Sequence, residues 1–198
     1  MSDSAIDPTA DRRNVADEFK GMTTDAIRLA MQERRVPAVN VAMNLTHDFN
    51  KSAVLRAHNA FAFREFTLVN KVNDQDPENP EGVKRWDKRG AVGMNHYEQI
   101  RHTVDGLGLI AEYKAEGYHV YAVDNTAGYD PKPIYDVVMP EKSVFVYGEE
   151  GPGLTQEMIE ACDEMIYIPQ FGVVRSLNIS QAAAVVMYEY SRQHRPTL

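Results

Sequence analysis

The feature that most constrains this chain is a repeated change in hydrophobic period. The runs "VNVAMNL" (39–45), "FTLVN" (66–70), "HVYAVDN" (119–125), "SVFVYG" (143–148) and "EMIYIPQ" (164–170) have the length and composition of strands. Between and after them, residues 23–35, 50–62, 108–117, 154–163 and 175–190 carry apolar residues at helical spacing. Strands that alternate with helices are joined by crossovers, and crossovers cover both faces of a mostly parallel sheet. The expected fold class is therefore α/β, a mostly parallel sheet with helices on both faces. Ligands of such sheets sit outside the carboxyl ends of the strands, so the loops that follow strands are the places to search for chemistry.

The 198 residues, 43% of them hydrophobic, suffice for one core, which predicts a single domain over residues 21–198. Residues 1–20 are polar, acidic and without period, and are expected to form a mobile or poorly ordered extension. Residues 70–90 also read as irregular, and a loop of that length in a compact domain is usually functional or disordered. Cys162 is the only cysteine, so no intramolecular disulfide can form. No run approaches the roughly 20 apolar residues of a membrane span, which predicts a cytoplasmic protein without a membrane partner. Neither H-E-x-x-H nor C-x-x-C occurs, so no metal is expected. The net charge of −8 disfavours indiscriminate phosphate binding. Charge is local, however: bases cluster at Arg34 and Arg35, in "VKRWDKRG" (83–90) and at Arg192, His194 and Arg195. Such clusters suit RNA and equally suit a solvated surface.

Three stretches could carry a ligand. In "DGLGLIA" (105–111), Gly106, Gly108 and Ala111 have G-x-G-x-x-A spacing and Asp124 ends the next strand, the outline of a Rossmann-type methyltransferase or dinucleotide site. The preceding "YEQIRHTV" is too polar for the buried strand that motif requires. "GEEGPGLT" (148–155) resembles a phosphate loop but has Leu154 where the lysine should stand and adds Glu149 and Glu150, which excludes an anion cradle. What remains is a strand, a tight glycine turn bearing two carboxylates, and a helix starting near Thr155; that is either an ordinary turn or a place where a ligand approaches the backbone closely. The third stretch is "RSLNISQAAAVVMYEY". Asn178 and Gln181 have the form of a capping box, and Ile179, Ala182, Ala183, Val186, Met187 and Tyr190 make one apolar face. The cap leaves Arg175 and Ser176 unexplained; they lie in the loop after a strand, where a parallel sheet presents binding groups.

Together, "VFVYGEEGPGL", "IYIPQFGVVRSLNISQAAAVVMYE" and, upstream, "NKSAVLRAHNAFAF" resemble the three motifs of the SpoU family of ribose 2'-O-methyltransferases in the SPOUT superfamily, in the expected order and over about residues 36–195. The resemblance implies a homodimeric enzyme that uses S-adenosylmethionine as its only cofactor, methylates tRNA or rRNA, and has a deep trefoil knot in its C-terminal part. It assigns the functional side chains to Asn50, Arg56, Glu150, Ser176 and Asn178, with Arg56 accepting or relaying the proton of the ribose hydroxyl. It assigns donor binding, mainly through backbone groups, to Gly148, Ile168, Leu177 and Asn125. The chain departs from the family pattern at Lys51 and Ser52, where a Leu-Gly pair is usual, at Phe63, read against a usual glycine, and at Gln170, where methionine is usual. A catalytically idle RNA-binding dimer of the same fold is the alternative those departures leave open.

Overall fold

The computed structural model describes residues 6–78, 80 and 86–195. Seven strands, β1 (Val36–Met43), β2 (Phe63–Val69), β3 (Ile100–Thr103), β4 (His119–Val123), β5 (Lys132–Pro133), β6 (Ser143–Tyr147) and β7 (Glu164–Tyr167), form one sheet in the order β3-β2-β1-β6-β4-β7-β5. Every pairing is parallel. The helices are α1 (Thr24–Arg34), α2 (Asp48–Ala60), α3 (Lys88–Ala91), α4 (Gly106–Ala115), α5 (Gln156–Ala161) and α6 (Ile179–His194). None of the described helices is long and apolar enough to cross a membrane.

Period-two alternation divides the core between the two faces. Val39 and Val41 of β1, Val120 of β4 and Val144 and Val146 of β6 pack against Leu109, Ile110 and Tyr113 of α4 and Met158 and Ile159 of α5. The intervening Ala38, Ala42, Tyr121, Phe145 and Tyr147 face Val54 and Leu55 of α2 and Ala183, Val186, Met187 and Tyr190 of α6. A third cluster seats α1 through Ile27 and Met31 on Ala62, Met94 and Tyr97.

Several expectations need correction. The polar "YEQIRHTV" does contain a strand: β3 is an edge strand that pairs only with β2 and is mostly half-buried, so it needs few apolar residues. β7 stops at Tyr167, just short of Ile168 and Pro169. The described part of the N-terminal extension is built into a clasp. Asp11 accepts from the Gly21 N–H (2.9 Å), from the Arg13 N–H (3.0 Å) and from its guanidinium. Those bonds, the Arg13 pair first, hold the Asp11 carboxyl far below the ordinary carboxylate range. The left-handed residue after α2 is Ala62 (φ +52°), and Phe63 opens β2, so the position that suits a glycine is Ala62. Lys51 is nearly buried, its Nζ 3.1 Å from Asp48 Oδ1 and 5.2 Å from the Trp86 ring centre. Ser52 Oγ accepts from the Asp87 N–H at 2.8 Å, so this unusual pair docks the segment beginning at Trp86 onto α2. Of the basic stretch 83–90, residues 83–85 lie outside the described residues.

Cys162 closes α5, its Sγ 3.2 Å from the Met158 carbonyl, and burial pushes the thiol up to about 12. The thiolate is the reactive form, so a thiol-exchange dye at pH 8 is expected to label the native protein at least roughly 100-fold more slowly than the denatured chain. Rapid native labelling would show that the corner between α5 and β7 opens.

Candidate active site

Because the sheet is wholly parallel, the loops after β4, β6 and β7 leave the same edge, and the first turns of α2 and α6 meet them there. They enclose a cleft of about 550 Å³. Its lining includes Asn50 from α2, Asn125 after β4, Gly148 and Glu150 after β6, and Ile168, Ser176, Leu177 and Asn178 after β7. Of the residues to which the motifs assign catalysis or donor binding, only Arg56 is not among those lining the cleft.

The turn after β6 is built backbone on backbone. Glu149 and Gly153 exchange two hydrogen bonds, Glu149 N–H to Gly153 O at 3.0 Å and Gly153 N–H to Glu149 O at 2.9 Å. Gly151 (φ +94°) and Gly153 (φ +80°) adopt left-handed backbone that side chains disfavour. A Cβ on Gly148 would lie 2.3 Å from the Gly153 carbonyl carbon, so no other residue fits there. Asp124 Oδ2 accepts the Leu154 N–H (3.2 Å) and ties this turn to β4.

The two glutamates face different partners. Glu149 pairs with Lys71 and accepts from Asn44 Nδ2 at 3.5 Å. Glu150 accepts from Asn50 Nδ2 at 3.0 Å and lies 3.4 Å from His47 Nε2. Asn50 Oδ1 in turn accepts from Asn178 Nδ2 at 3.1 Å, so residues 50, 150 and 178 form one polar cluster at the cleft. Asn178 also caps α6, but its Oδ1 accepts from Ser180 N–H (2.9 Å) and Oγ (2.7 Å), not from Gln181 as a capping box would have it. Asn125 Nδ2 reaches the Arg175 carbonyl at 3.5 Å and joins the loop after β4 to that after β7.

Arg56 is exposed on α2. Six residues along a helix turn through about 600°, so Arg56 points roughly 120° away from Asn50. It shares an outer face with Phe49, Ala53 and Ala60, where Phe49 is 51% exposed. The Rossmann-type alternative is not supported: Asp124 lines this cleft, whereas Gly106 lines a second one beside Met43 and Asn70, and Asp105 only caps α4 by accepting the Gly108 N–H at 2.8 Å.

Sequence reasoning missed Tyr147, His47 and Asp124 as parts of this site's framework. From sequence, Asp124 belongs only to the Rossmann-type outline with Gly106 and Gly108, although its place at the end of β4 puts it beside the glycine turn.

A parallel sheet whose C-terminal loops build a glycine-walled cleft, closed by an Asn-Glu-Asn cluster, defines a ligand-binding α/β enzyme domain. Residues 37–188 match the SpoU rRNA Methylase family, and the chain belongs to that family. It is 29% identical to the tRNA (guanosine(18)-2'-O)-methyltransferase of Escherichia coli (strain K12), over 83% of this chain and 68% of that protein. It is likewise 29% identical to the enzyme of the same name from Thermus thermophilus, over 86% of this chain and 84% of that one. Its fold matches the A. aeolicus TrmH/SpoU tRNA modifying enzyme with a TM-score of 0.74 at 23% identity, covering 87% and 83% of the two chains. It also matches an AdoMet-bound rRNA methyltransferase from Sinorhizobium meliloti with a TM-score of 0.65 at 22% identity, covering 80% and 56%. The chain is thus an RNA methyltransferase.

Proposed function

We propose that this enzyme methylates a ribose 2'-hydroxyl of a tRNA and works as a homodimer whose active site is completed across the subunit boundary. The observation that carries the reading is the meeting of Asn50, Glu150 and Asn178, drawn from three distant parts of the chain, at the mouth of a cleft walled by backbone. A cleft of about 550 Å³ is within the range of small-molecule sites. The close approach at Gly148 and the loops carrying Ile168 and Leu177 suit a donor held through backbone groups. When bound, S-adenosylmethionine supplies an electrophilic methyl group.

The chain's own residues then have separable tasks. Asn50 and Asn178 orient polar partners at the acceptor end; Glu150 holds Asn50 by a charge-assisted hydrogen bond, and Asn50 in turn accepts from Asn178. Ser176 lines the same cleft and can position the ribose. Guanidinium groups keep their charge over the working pH range, so Arg56 is assigned an electrostatic role, holding phosphate or stabilising the developing alkoxide. Homodimer formation is supported by the exposed apolar groups Phe171 (94%), Val174 (64%) and Tyr188 (60%) along one segment of the chain, an unusual grouping for a monomer surface. The trefoil knot belongs to the same proposal; in its favour are the family match and the meeting of the loops after β6 and β7 over one cleft. tRNA rather than rRNA is favoured by the names of the two relatives matched over most of the chain.

The test is to incubate the protein with unmodified total RNA and methyl-labelled donor, then to digest with alkali. Label in alkali-resistant dinucleotides from the tRNA fraction is expected. Label confined to ribosomal RNA would replace the substrate, and no label in either would overturn the reading.

A further inference from the structure

We propose that His58 is a positioning residue for methyl transfer, holding α2 and its Asn50 in register with the cleft through a buried polar chain that is hydrogen-bonded from Tyr147 through Asn40 to His58 and backed by Glu98 and Arg35. The inference rests on the function proposed above. The chain begins beside the cleft. Tyr147 Oη donates to Asn40 Oδ1 at 3.0 Å, and Asn40 Nδ2 lies 3.0 Å from His58 Nδ1. An amide nitrogen can only donate, so Nδ1 accepts and the ring proton sits on Nε2. Nε2 faces Glu98 Oε2 at 3.5 Å, an electrostatic contact whose geometry falls short of a hydrogen bond. Glu98 accepts from Arg35 Nη1 at 2.6 Å through one oxygen and from Asn59 Nδ2 at 2.5 Å through the other.

These groups lie inside the core. The His58 and Glu98 side chains have no exposed surface, Asn40 has none, and Arg35's side chain is 7% exposed. Burial alone would raise the Glu98 carboxyl, but its neighbours His58 and Arg35 bring it below the ordinary range. Burial pushes the Tyr147 phenol well above its usual range, which keeps it a hydrogen-bond donor. Apolar side chains of the same volume would often give equal or greater stability than a buried ionic network. What apolar packing lacks is direction, and hydrogen-bonded networks fix a single arrangement where packing tolerates several.

The two attachment points explain what is fixed. Tyr147 is the last residue of β6, directly before Gly148 and three before Glu150. His58 is on α2, eight residues after Asn50, a little over two turns and about 12 Å along the helix. The chain therefore couples the strand that presents the glutamate to the helix that presents its asparagine partner. Without it, a small rotation of α2 would move Asn50 relative to Glu150, and misplacement by about 1 Å can reduce a rate on the order of 100-fold.

Isosteric replacements separate the two arms. His58→Asn keeps an acceptor near the Nδ1 position and loses Glu98; His58→Gln keeps reach toward Glu98 and loses Asn40. With wild-type enzyme active on tRNA in parallel, His58→Gln is expected to lower kcat by roughly 10- to 100-fold, with KM for RNA and Kd for S-adenosylmethionine changed less than about threefold. His58→Asn should retain kcat within about threefold of wild type. Tyr147→Phe, which keeps the ring and removes only the donor, should lower kcat in the same direction as His58→Gln and serves if that variant does not fold. Equal kcat in all three would overturn the proposal, as would equal losses in both His58 variants matched by equal losses of Tm. The imidazole nitrogen spectrum of the wild type gives a readout independent of turnover: a proton on Nε2 is expected, and a proton on Nδ1 would exclude the chain. Wild-type enzyme that transfers no methyl group to RNA would count against the proposed function, while the imidazole spectrum still decides whether the chain of bonds exists.

Discussion

Replacing Gly148 by alanine is expected to raise the Kd for S-adenosylmethionine by more than about 100-fold while the sheet stays folded. The added Cβ would lie 2.3 Å from the Gly153 carbonyl carbon and 2.5 Å from the Leu154 nitrogen. Both are backbone atoms, so no rotamer change relieves the clash. The strand before Gly148 is fully buried between β1 and β4 and cannot retreat. The turn must move instead, which breaks the two hydrogen bonds between Glu149 and Gly153 and shifts the wall of the cleft. Overpacking of this kind costs about 1–3 kcal/mol, which leaves a folded protein with a displaced turn. Isothermal calorimetry with the donor, beside circular dichroism for the fold, checks this. A Kd within about threefold of wild type would remove Gly148 from the donor site.

The second large effect is expected at Arg56. Arg56→Ala should lower kcat by about 100- to 1000-fold, the scale of losing one electrostatic contact to a transition state, with donor affinity unchanged. Within one chain the guanidinium is exposed and outside the cleft lining, so its contribution requires the subunit boundary. That makes a sharper test possible. If Arg56 of one subunit serves the cleft of the other, an Arg56→Ala subunit paired with a Gly148→Ala subunit contains one intact site. Random reassortment of the two inactive proteins in equal amounts should then restore about a quarter of wild-type activity. Should the mixture stay as inactive as its parents despite demonstrated subunit exchange, Arg56 acts within its own subunit or not at all. Unchanged kcat in Arg56→Ala alone would remove it from the mechanism.

The sheet was legible wherever a strand had two buried faces or a clean alternation, because β1, β4 and β6 could hardly be read otherwise. The edges were not: β3 and the two-residue β5 have too little buried surface to leave an apolar pattern. Most of the cleft was readable because its residues sit in loops after strands, where parallel topology brings them together whatever the details. Arg56 shows the limit of that reasoning. The family resemblance placed it in the same site as Asn50, yet helix geometry sends the two side chains in different directions. The chain through Asn40, His58 and Glu98 was invisible for another reason. Each residue is a single polar group in an otherwise ordinary segment, 18 and 40 positions apart, and only the packed core shows that they meet. Asn40 between two valines in β1 was the one hint, since an unpaired amide there would be expensive.

The cleft draws on the chain unevenly. Apart from Asn50, every residue lining it lies between positions 123 and 182. The wall of the proposed donor site is thus a property of one contiguous stretch, to which the N-terminal part adds only Asn50. Substitutions in the first half of the chain away from Asn50, Arg56 and His58 can therefore accumulate without reshaping the wall of that cleft.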